Sequence, residues 1–204
     1  MIAKYQAVLL AGLLPFAAAA QVVCALGPGA STYKPGSDQR PTNDAMELAG
    51  RVNEAAKAIC SPNCPTLALF RNATAANAML IASHGQAKFV YEPQFFTTAY
   101  ETYGDGAIIA LIAHELGHAL DDTLGARWIR KEWTPELRAD SWAGCLVAKA
   151  DLGPGDLEGA FAALAKYPPP SPPGWAERAA ALRAGYTQCG GDDVKFDQAR
   201  TIPH

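Results

Sequence analysis

Hydrophobic residues in this chain recur with a helical period in some stretches, alternate in others, and run almost without interruption in two. The first uninterrupted run is Ala7 to Phe16. It follows a single lysine, Lys4, and leads into Ala17 to Ala20, the order of a secretory signal with cleavage after Ala20. It is shorter than the roughly 20 apolar residues that span a bilayer, so an anchor is the weaker reading. Residues 21–41 are rich in Gly, Pro and Ser and read as an extended lead-in. Ala45, Leu48, Val52 and Ala56 then repeat on one face, predicting a helix capped by Thr42 or Asn43 and running to about Ile59. Pro62 and Pro65 end it. Thr66 to Phe70, Ala78 to Ala82 and Ala87 to Tyr91 read as short strands, the last two joined in a hairpin by Ser83-His84-Gly85-Gln86.

A helix is expected over Pro93 to Tyr103, closed by Gly104 and Gly106. The second uninterrupted run, Ala107 to Leu120, is apolar nearly all round and predicts a buried central helix. After a loop holding Trp128 and Trp133, Thr134 caps a helix with Pro135 in its first position, running to about Ala150. Asp156 to Lys166 and Trp175 to Ala184 complete the helices, separated by a proline-rich crossing. Residues 191–204 read as a polar tail. The expected fold is α+β, mostly helical, with a small hairpin or sheet beside the central helix and one domain over residues 42–190.

Composition narrows the function. The formal charge of −3 and the scattered Lys and Arg give nucleic acid no basic surface to bind. No stretch beyond the leader is apolar enough for stable membrane insertion, so a secreted or periplasmic protein is expected. Such a compartment allows disulfides. Cys60 and Cys64 are spaced for a local bridge, since a zinc knuckle lacks a second Cys or His pair nearby. Cys24 and Cys189 are expected to tie the chain ends, leaving Cys145 as an inert core thiol among Ala143, Leu146 and Val147.

The central helix carries His114-Glu115-Leu116-Gly117-His118. Residues four apart stack on one helical face, so both imidazoles can meet one metal ion. Glu115 stands beside that ion, where a base takes a proton from water. Two imidazoles and a carboxylate in so apolar a helix would cost several kcal/mol if left unpaired, and a divalent cation offsets that cost. A catalytic zinc needs a third protein ligand, and Asp121, Asp122, Glu132, Glu136 and Asp140 all follow the motif. Glu136 is favoured because it lies in the first turn of the next helix, with room to cross back. Four residues on, Asp140 can accept the free ring N–H of a ligating histidine, His114 above all, and fix its tautomer.

His114-Glu115-Leu116-Gly117-His118 with Glu136-Leu137-Arg138-Ala139-Asp140 resembles the gluzincin metallopeptidases. Ser141-Trp142-Ala143-Gly144 and the stretch from Asn77 to Tyr91-Glu92-Pro93 narrow the likeness to their HtpX-type domain. The resemblance spans about residues 77–150 and implies a zincin-like domain holding one Zn2+. That family often has a His-Pro pair where this chain reads Ser171-Pro172-Pro173, so a histidine is missing and Arg178 alone follows. Its members are usually membrane-embedded, whereas this chain is more similar to their soluble periplasmic relatives.

The implied reaction is hydrolysis of a polypeptide, with zinc on His114, His118 and Glu136 and with Glu115 as general base. Arg178, Tyr186 and Tyr103 are candidates to stabilise the oxyanion. The strand from Asn77 to Ala82 is a candidate edge for pairing with an extended substrate. The alternatives are a non-catalytic zinc-stabilised module that binds peptides or a protein, and an amidase acting on cell-wall peptides.

Overall fold

The computed structural model describes residues 21–26, 32–65, 67–83, 86–169 and 173–200. The expected leader, His84, Ser171, Pro172 and His204 lie outside them. Four strands and six helices follow in the order β1 (Gln21–Leu26), α1 (Asn43–Cys60), β2 (Leu67–Arg71), β3 (Ala78–Ser83), β4 (Gln86–Tyr91), α2 (Pro93–Thr123), α3 (Pro135–Lys149), α4 (Pro154–Lys166), α5 (Trp175–Gln188) and α6 (Asp193–Arg200). This is an α+β architecture, mostly helical, with one small mixed sheet.

The sheet order is β1-β3-β4-β2. The hairpin β3–β4 is antiparallel, β2 joins β4 in parallel, and β1 lies antiparallel along the outer side of β3. Alternation gives the sheet two apolar faces. Leu80, Phe89 and Tyr91 face the helices with Cys24 and Leu26, whereas Met79, Ile81 and Val90 form a smaller cluster behind, covered by Tyr33 and Phe70. β1 falls within the segment expected to be an extended lead-in. Its pairing partner lies more than fifty residues away, so no local signal marks it.

Helix ends follow their residue types. Thr42 caps α1 by accepting from the Ala45 N–H, and Thr134 caps α3 by accepting from the Leu137 N–H with Pro135 next in line. α2 contains a break at Gly104, which adopts φ 74° and ψ −166°. Only glycine enters that region at no steric cost, so the boundary expected at Gly104 survives as a kink between two helical limbs. The second limb is buried from Gly106 to Leu120. α3 and α4 pack on it, and α5 packs on α3.

Close approach of these helices depends on missing side chains. A Cβ on Gly117 would sit 2.5 Å from the Ala139 carbonyl oxygen, so the motif helix and α3 touch backbone to backbone. Gly144 and Gly185 bring α3 and α5 together in the same way, each lying against the other helix's backbone.

Two expectations need correction. Cys60–Cys64 forms as expected, but Cys189 pairs with Cys145, and Cys24 is free and buried. The α3–α5 crossing brings Cys145 within 5.1 Å of Cys189, Cα to Cα, while β1 carries Cys24 elsewhere. The stretch read as a polar tail contains α6, whose Phe196 is 1% exposed and packs on Phe161 and Tyr186. Phe196 and Ala199 are three apart, enough to bury one face of an otherwise polar helix.

Candidate metal centre

The buried limb of α2 delivers His114 and His118 to one side, with ring centroids 5.0 Å apart. α3 runs back across that side and presents Glu136 from its first turn. The Glu136 Oε2 lies 3.3 Å from His114 Nε2 and 3.6 Å from His118 Nε2. One turn on, Asp140 Oδ1 accepts from His114 Nδ1 at 2.9 Å, which turns Nε2 toward Glu136. The structure thus brings together the four residues whose spacing suggested them.

Of the other acidic candidates, Asp121 accepts from Arg138 Nε at 2.6 Å, and Glu132 lines a surface groove with Trp133, Thr134 and Pro173.

Arg178 is neither at the surface nor a free oxyanion donor. It is 1% exposed and donates through Nε and a terminal nitrogen to both oxygens of Asp140, each at 2.8 Å. Its remaining terminal nitrogen donates to the Leu164 carbonyl at 2.7 Å. With each of its three nitrogens engaged, Arg178 holds Asp140, which in turn holds His114. Tyr186 packs its ring on Phe161 and Phe196, and Tyr103 packs edge-on to Tyr167.

Sequence reasoning missed Cys24. Its Sγ lies 3.9 Å from His114 Nε2 and 3.9 Å from Glu136 Oε2. Cys24, His114, His118 and Glu136 each offer one donor atom, and all four atoms lie within 4.8 Å of one another. The group is enclosed: His114 is 0%, His118 5% and Glu136 14% exposed. Beside it, Glu115 is 0% exposed, and among the described residues neither of its oxygens, nor His118 Nε2, has a hydrogen-bond partner.

This buried array could hold a metal ion. For metal–ligand bonds of about 2.0–2.3 Å, a tetrahedral site has donor–donor edges of about 3.3–3.8 Å. The two carboxylate–imidazole separations fall in that range, and the Cys24 edges are slightly longer. Two imidazoles, a carboxylate and a thiol suit zinc and related first-row ions. The unpartnered His118 Nε2 points to the same group.

The charges in the array respond to one another. Burial works against a charge on His114, yet its bond to Asp140 and its contact with Glu136 carry its pKa up to about 9. Burial also opposes charge on Glu136, but His114 and His118 outweigh it and hold the carboxyl well below its usual range. Burial pushes Glu115 up. Burial first, then the neighbouring Glu115 and Glu136 charges, push the Cys24 thiol up.

No protein-family model, curated protein or solved structure matches the chain. No helix among the described residues is long and apolar enough to cross a membrane, and the two disulfides are compatible with export.

Proposed function

We propose that this protein is a zinc-dependent peptidase, of the gluzincin type that its two motifs resemble, acting on polypeptides outside the cytoplasm. The observation that carries the reading is the convergence of His114, His118 and Glu136 at 3.3 and 3.6 Å, with a buried, unpartnered Glu115 beside them. A bound zinc ion supplies Lewis-acid polarisation of a scissile carbonyl and acidifies water. His114, His118 and Glu136 hold it. Asp140 keeps the His114 proton on Nδ1 so that Nε2 is free to ligate, and Arg178 fixes Asp140. Glu115 accepts the proton of the attacking water and returns it to the departing amine nitrogen. Glu115 is tied to no backbone group or scaffold side chain and has only the residues of the metal group, Cys24 and the two histidines, for neighbours, which leaves it available for that task.

One observation favours a second reading. Counting Cys24, the donor set is four-membered and enclosed, which is the form of a structural zinc site. A zinc-stabilised binding module would have that closure, but would leave Glu115 buried without a role.

Metal analysis and digestion of an unstructured protein such as casein separate the two. They are best run in a Cys24→Ala background, where the thiol is out of the metal group. Zinc is expected at one ion per chain with and without Glu115→Gln, and hydrolysis should fall by about 10²–10⁴ in the glutamine variant. Equal turnover with glutamine at 115 would sink the peptidase reading.

A further inference from the structure

β1 and Cys24 occupy the two places that a peptidase of this design must leave open. β3 was expected to offer its outer edge to an extended substrate, and that edge is filled: Leu26 pairs with Ala78, Ala25 with Met79 and Cys24 with Leu80. The fourth donor position beside His114, His118 and Glu136 is filled by the Cys24 thiol on the same strand.

The register explains how one strand does both. Gln21 and Val22 pair with Ala82 and Ile81, and the register then shifts between Val22 and Cys24. Without that bulge, a regular ladder continued from Val22 would set Cys24 opposite Met79, on the face turned away from α2. With it, Cys24 stands opposite Leu80, among the residues that face the motif helix. A bulge commonly re-aims one side chain next to an active site. Beyond the bulge the strand is fixed by Leu26, which is 0% exposed and whose carbonyl accepts from the Asn77 side-chain amide at 2.9 Å. Cys24 is also the one cysteine of five outside the two disulfides, so its thiol is spared for another use.

We propose that β1 is a built-in inhibitory strap: it pairs with β3 in place of substrate and closes the metal site with the Cys24 sulfur as fourth ligand. The proposal rests on the peptidase reading above and adds its regulation. On closure the sulfur–metal bond forms as the S–H bond breaks, and the proton passes to solvent. No oxidant or reductant takes part. Activation requires withdrawal of β1, by thiol-directed chemistry or by displacement of the strand. The substrate that replaces it is an extended polypeptide running antiparallel to β3.

The test uses the full chain loaded with cobalt(II) in place of zinc. Wild type should show a near-ultraviolet thiolate-to-cobalt charge-transfer band, and both Cys24→Ala and Cys24→Ser should lack it while retaining one ion per chain. Both zinc-loaded variants should cleave an unstructured peptide faster than wild type, by about tenfold or more, because losing the sulfur ligand opens the fourth metal position and leaves β1 held over the site by its pairing with β3 alone. Cys24→Ser preserves shape at the buried position and stands in should Cys24→Ala fail to fold. Absence of the band from metal-loaded wild type would overturn the proposal whatever the activities. A band in wild type, with variants that hydrolyse no faster than wild type, would overturn the strap and leave only a structural thiol. A band with no hydrolysis in any form would remove the peptidase reading itself, and inhibition with it.

Discussion

His114 divides the centre of this protein into two halves that are built on opposite principles. On its Nδ1 side, every charge is answered: Asp140 takes the imidazole N–H and both Arg178 contacts, and Arg178 adds the Leu164 carbonyl. On its Nε2 side lie His118, Glu136, Cys24 and Glu115, with His118 Nε2 and both Glu115 oxygens left without hydrogen-bond partners. Arg178 on the first side and Glu115 on the second are both fully buried, so burial alone does not distinguish structure from chemistry. Pairing does. A saturated polar network holds geometry, whereas unanswered groups at the same depth carry a desolvation cost that only a ligand or a reaction offsets.

The contrast is sharpest under truncation. Arg178→Met should cost about 3–5 kcal/mol of unfolding free energy, because it leaves the Asp140 charge buried with half its partners gone. Urea denaturation of the metal-free chain reads this directly, and metal affinity should fall alongside as His114 loses its orientation. Glu115→Gln, at the same depth, is expected to change stability by no more than about 1 kcal/mol, because burial already pushes the Glu115 carboxyl up and glutamine keeps its shape beside Cys24 and the two histidines. A loss as large as that of Arg178→Met would erase the distinction between the halves.

Two smaller effects test how tightly the halves are joined. Gly117→Ala should cost about 1–3 kcal/mol and weaken metal binding, since the added methyl meets the Ala139 carbonyl and pushes the motif helix away from Glu136. Calorimetric titration with zinc measures the second part. The smallest effect lies on the far face of the sheet. There Lys88 donates to Asp38 at 2.6 Å, and the Asn72 amide donates to it at 2.8 Å. Burial opposes the Asp38 charge, but Lys88, Asn72 and Tyr33 together hold its carboxyl below the usual value. Its contribution is therefore present above about pH 4 and is lost as pH falls through the depressed folded value. Asp38→Asn should remove about 1 kcal/mol at pH 7 and flatten the acid limb of the stability curve. Metal content should be unmoved.

Where information is local, the sequence carries it. The four-residue spacings His114–His118 and Glu136–Asp140 each fall on one helical face, and the Thr134-Pro135 start places Glu136 in a first turn. Those features suffice to propose three donors and the carboxylate behind them before any fold is known. Arg178 escapes because its partner, Asp140, lies 38 residues earlier on another helix, and nothing near it distinguishes a buried guanidinium from a solvated one. The Cys145–Cys189 bridge depends on the crossing of α3 and α5 through Gly144 and Gly185, which sequence spacing does not encode. Cys24 is the clearest case. Its role depends on a strand pairing across the molecule and on a one-residue irregularity within it. A short apolar strand at residues 21–26 carries no mark of either.

The anchoring of Leu26 by Asn77 also turns the short stretch Cys24-Ala25-Leu26 into a ruler. Because strand residues alternate between faces, one codon inserted between Cys24 and Leu26 would carry the thiol to the opposite side of the sheet. Every donor would keep its chemical identity. A scan of substitutions would not detect this dependence on length, but an insertion and its compensating deletion would. Under the proposed strap, a one-residue change in chain length at this point would release the restraint while leaving all four donor residues unchanged.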